Sequence, residues 1–120
     1  NKMNEEVLEI VRKLEDGTAG YFDVERLGRL ADEGNFYAAL EYGICLYLGE
    51  QVLIDNDKAQ FYFEKAIQSD DFGVLVELVS FMDYVDPYRF NELIELGKKK
   101  VHRKIEEKSK ELGFDSSKLN

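Results

Sequence analysis

The sequence predicts an all-α fold, an α/α superhelix or short solenoid of about three helical hairpins with an extended last helix. Three observations lead there. Apolar residues recur at helical spacing in six successive segments. No sustained alternation of apolar and polar residues marks a strand. One proline in 120 residues leaves room for long uninterrupted helices.

The first segment carries Met3, Val7, Ile10, Val11 and Leu14 at helical spacing, and Asp16-Gly17 with Gly20 breaks it. A second runs from about Tyr21 to Glu33 on Phe22, Val24, Leu27, Leu30 and Ala31, and Gly34-Asn35 stops it. A third covers Phe36 to Leu48. The loop Gly49 to Ile54 leads to a fourth from Asp55 to about Ser69, and a fifth spans Phe72 to Tyr84. Asp86-Pro87 opens a sixth, with Asp as cap and Pro in the first turn, continuing to about Leu112. Leu53-Ile54 and Val74 to Val76 are too short to count as strands. Short connections then pair the helices, so 1–113 reads as one domain and 114–120 as a flexible polar tail.

Charge narrows the partner. The net charge is −9, but residues 1–97 hold 21 acids and 8 bases, whereas 98–120 hold 4 acids and 8 bases. An acidic body disfavours nucleic acid and favours a basic protein or peptide. No apolar run reaches the roughly 18 residues of a membrane span. The first residues show no signal core, which points to a cytoplasmic setting, although a signal already removed would leave the same sequence. Cys45 is the only cysteine, so no internal disulfide forms and the compartment stays open.

An offset of 36 residues registers Gly34 with Asp70, Ala38 with Val74, Leu27 with Phe63 and Ala31 with Ile67. An offset of 31 registers Asp55, Lys58, Ala59, Tyr62 and Ala66 with Asp86, Arg89, Phe90, Leu93 and Gly97. The middle unit is more specific: Gly34, Ala38, Tyr42-Gly43, Leu46, Gly49, Val52, Asp55, Lys58-Ala59, Tyr62-Phe63, Lys65-Ala66. This spacing resembles the Sel-1-like repeat, a relative of the tetratricopeptide repeat. The departures are Tyr42 for a leucine, Leu46 for a tyrosine, Gln51 for a glycine and Tyr62-Phe63 for the aromatic pair. The strong match covers 34 to about 70. Small Gly43 and Ala59 would let two antiparallel helices approach closely, with Ala66 two turns on. Tyr62 and Phe63 would fill space between this hairpin and the next. Gly49 would turn the chain, Val52 anchor the loop and Asp55 cap the fourth helix.

The resemblance implies that the first helix of each hairpin lines a concave surface. By register the third helix would present Tyr37, Leu40, Glu41, Ile44, Tyr47 and Leu48. The fifth would present Val76, Ser80, Asp83 and Tyr84. Glu41, Asp83 and Asp86 would favour a partner with Lys or Arg. The resemblance implies an adaptor or scaffold that joins other proteins. An alternative is a small acidic immunity or inhibitor protein that blocks a basic toxin or nuclease. A third is a small hydrolase working through buried carboxylates.

Catalytic and metal signatures are weak. His102 is the only histidine and sits in a charged run without a second ligand nearby. Cys45 lies inside an apolar helix without a nearby base, as a packing thiol does. Asp55-Asn56-Asp57 lacks the rest of a calcium loop. No residue set implies a cofactor. Lys98 to Lys104 places five bases in seven residues, read as a solvated helix face or a clamp on the acidic body. An exposed end, or Val101, Ile105 and Leu112, offers a homodimer contact.

Overall fold

A computed structural model describes residues 2–113; the expected tail at 114–120 lies outside them. It contains six helices: α1 (Lys2–Asp16), α2 (Tyr21–Asp32), α3 (Phe36–Leu48), α4 (Asn56–Ala66), α5 (Phe72–Val85) and α6 (Asn91–Glu111). Among the described residues there is no strand. The contacts form two compact units, divided between Ser69 and Asp70.

In the first unit α3 packs against both α2 and α4, and α1 touches α2 and α3. Its sequence, FYAALEYGICLYL, is apolar nearly all round, as a central helix requires, and it buries Ala38 through Gly43, Cys45 and Leu46. Two glycines set the spacing. A Cβ on Gly28 of α2 would lie 2.9 Å from the Tyr42 ring of α3. One on Gly43 of α3 would lie 2.5 Å from the Phe63 ring and 3.3 Å from the Ala59 carbonyl of α4. Each aromatic ring therefore lies directly on neighbouring backbone.

Caps explain the boundaries. After α2, Gly34 (φ 103°) turns the chain, and the Gly34 and Asn35 amides donate to the Ala31 and Leu30 carbonyls. Asn35 then starts α3: its Oδ1 accepts from the Ala38 amide at 2.8 Å, and its Nδ2 donates to Asn4 Oδ1 at 2.9 Å. Gly49 (φ 72°) ends α3, and Asp55 caps α4 by accepting from the Lys58 amide at 3.0 Å. At the start of α2 the Asp23 carboxylate accepts from the Gly20 amide at 2.9 Å, and this bond holds its pKa below the ordinary value. Glu6 of α1 pairs with Arg26 of α2, which lowers the Glu6 pKa.

Three expectations change. Tyr62 and Phe63 fill space inside their own unit: Phe63 lies on Gly43, while Tyr62 meets Tyr42 edge-on at 4.8 Å and donates to Asp32 Oδ1 at 2.8 Å. Helix α4 ends at Ala66, and single-turn bonds carry the chain on to Ser69. The third change is at Asp86-Pro87, which starts a turn rather than α6. Asp86 Oδ1 accepts from the Arg89 amide, but Phe90 (ψ 14°) leaves helical geometry and α6 begins at Asn91.

In the second unit α5 packs against α6. Leu75, Leu78 and Met82 on α5 are buried, as are Phe90, Ile94 and Gly97 beyond the turn.

Candidate partner-binding surfaces

The α3 positions expected on an open surface divide. Leu40 and Glu41 are buried, so neither offers a docking face. Tyr37, Ile44 and Tyr47 are half-buried, and only Leu48 is exposed. The reason lies in the central place of α3, which leaves little of its circumference uncovered.

Beyond Leu48 the chain makes a tip. Ile54 folds back so that its Cγ1 would lie 2.5 Å from a Cβ on Gly49. The Asp55 amide donates to the Leu46 carbonyl at 3.0 Å, closing the loop on the last turn of α3. Val52, the expected anchor, is half-buried. Leu48 and Ile54 remain exposed, and Leu53 is 90% exposed. Glu50, Asp55 and Asp57 are exposed in the same segment. Gln51 holds φ 57°, in the left-handed region.

On α5 the expected positions do share an exposed face. Val76, Ser80 and Asp83 follow at helical spacing, and Tyr84 beside them is 88% exposed. Sequence reasoning missed two neighbours. Phe72, four residues before Val76, is exposed on the same face, and its spacing was the available signal. Tyr88, 93% exposed, stands with Tyr84 on either side of the Asp86-Pro87 turn.

The basic run lies on α6. Glu95, Lys98, Lys99, His102, Arg103 and Glu106 line a shallow groove of about 340 Å³. Lys98 Nζ lies 3.7 Å from Glu95, and His102 Nε2 lies 2.9 Å from Glu106. Of the expected dimer stripe, Val101 is half-buried while Ile105 and Leu112 are exposed.

Chemistry-bearing groups sit elsewhere. Burial, helped by Glu41 and Glu50, pushes the Cys45 thiol up to about 12. A thiol so placed is a poor nucleophile at neutral pH. Burial and the bond to Asp32 also raise the Tyr62 hydroxyl well above its ordinary value. Among the described residues no group of three or more His, Cys, Asp or Glu is placed to hold a metal ion. No described helix is long and apolar enough to cross a membrane. Comparison with known proteins finds no matching family model, curated relative or solved structure.

Proposed function

We propose that this chain is a non-enzymatic adaptor of the Sel-1-like helical-repeat type. It binds a protein or peptide with basic residues on the exposed face of α5. The observation that carries this reading is the clustering of Val76, Asp83 and Tyr84 on one exposed helix face, with Tyr88 just beyond the turn. Exposed tyrosines beside carboxylates suit a segment that alternates apolar side chains with Lys or Arg, because the ring supplies contact area at low entropic cost.

The repeat assignment draws support from the Gly49–Asp55 loop. Gln51 stands where the pattern has a glycine, and its backbone holds the left-handed angle that a glycine would supply. The Gly43–Phe63 contact likewise uses the small residue where the pattern places one.

Affinity capture with the full chain, followed by mass spectrometry, tests the proposal when run beside a Tyr84→Ala/Tyr88→Ala variant. The expected result is a basic partner bound by the native chain and held at least about tenfold more weakly by the variant, about 1.4 kcal/mol. Helicity should be unchanged, because both rings are exposed. Equal retention of the partner by both proteins overturns the site. If the captured partner is itself a nuclease or toxin, the adaptor reading gives way to the inhibitor reading.

A further inference from the structure

Two exposed features of opposite charge occur in different units of the chain, and the proposed partner site uses neither. The first is the α6 groove. Its two carboxylates are occupied within the helix, Glu95 with Lys98 and Glu106 with His102. Lys99 and Arg103, four residues apart on the same face, form no ion pair among the described residues. Leu96, 44% exposed, shares that face at the i, i+3, i+7 spacing. The groove thus offers two cations, and Leu96 stands beside them on the helix, outside the groove lining.

The second feature is the α3–α4 tip. Leu48, Leu53 and Ile54 are exposed there, with exposed Glu50 between the first two in sequence and exposed Asp57 after the last. Leu53 leaves nearly all its surface in water. The tip carries exposed carboxylates and exposed apolar side chains in one short segment, opposite in sign to the cations of the groove.

We propose that the tip of one copy docks into the α6 groove of a second copy. Glu50 and Asp57 face Lys99 and Arg103, and Leu53 covers Leu96. Charge complementarity selects this occupant, and every copy carries both halves. Because the two halves differ, the contact is heterologous and runs head to tail. The net charge of −9 opposes the approach of two copies at long range. At physiological ionic strength the screening length is about 8 Å, so contacting pairs still attract while distant charges are muted.

A charge exchange tests the contact. Sedimentation velocity on the full chain should show association that strengthens with concentration. A Lys99→Glu/Arg103→Glu protein and a Glu50→Lys/Asp57→Lys protein should each remain monomeric over the same range. Mixed in equal amounts they should associate at least about tenfold more tightly than either alone, because both tip–groove contacts between unlike copies, one native and one exchanged, join opposite charges. Circular dichroism checks that each variant folds. Leu53→Ser, at an almost fully exposed position, supplies a second route and should weaken association with helicity intact. A native chain that stays monomeric overturns the proposal. So do variants that associate like the native chain, a mixture that fails to recover association, and a Leu53→Ser protein that associates normally.

Discussion

Gly43 shows how a single hydrogen atom in place of a side chain fixes a helix pair. The Phe63 ring occupies the space that a Cβ would need, and the Ala59 carbonyl closes the other side. Gly43→Leu should therefore destabilise the protein by about 1–3 kcal/mol through overpacking. Denaturant titration at constant pH checks this, and a neutral result would mean that the ring and α4 move apart without cost. The role of Gly43 was legible in the sequence because a small residue recurs opposite Ala59. That of Gly28 was not. Its meaning depends on Tyr42 lying across it, and the pairing of α2 with α3 brings those two residues together.

The six helices were legible almost to the residue where side chains cap them, as Asn35, Asp55 and Asp71 do. The start of α6 was not, because the cap at Asp86 is genuine yet yields only one turn before Phe90 leaves the helix. A local signal chooses a turn, and the geometry after that turn decides whether a helix follows. The α3–α4 loop shows the same division. Gly49 announces itself as a turn, whereas nothing in a glutamine announces a positive φ at position 51. That angle costs an ordinary residue roughly 1–2 kcal/mol. Glycine's greater freedom in the unfolded chain returns about 0.5–1 kcal/mol of this. Gln51→Gly should thus leave stability unchanged or raise it by up to about 1.5 kcal/mol, read as a shift in thermal midpoint. A clear loss would reveal a stabilising contact of the glutamine side chain.

The candidate surfaces were less legible than the helices, because burial depends on what packs where. Helical spacing placed the α5 set on one exposed face. The same reasoning failed for Leu40 and Glu41, since α3 has neighbours on both sides. The surrounded position of α3 also shapes the pH response of the protein. The Cys45 thiol, ordinarily near 9.0, is raised to about 12 in the fold. From pH 9 upward the unfolded chain loses this proton while the folded chain keeps it, so ionisation favours unfolding. The contribution of this thiol should be intact below pH 9 and be lost as pH rises toward 12, with Tyr62, also raised, adding to the loss at the upper end. Cys45→Ala should flatten the decline between pH 9 and 12 in chemical denaturation curves. An unchanged slope would assign the alkaline loss to other groups.

The same buried sulfur sets how the protein meets oxidants. Thiol exchange and peroxide oxidation both need an accessible thiolate, and Cys45 in the fold offers neither access nor charge. A disulfide-linked pair of chains in a preparation therefore reports molecules that opened before they were cross-linked. It is a record of past unfolding, and the native fold protects itself from covalent pairing without any reductant.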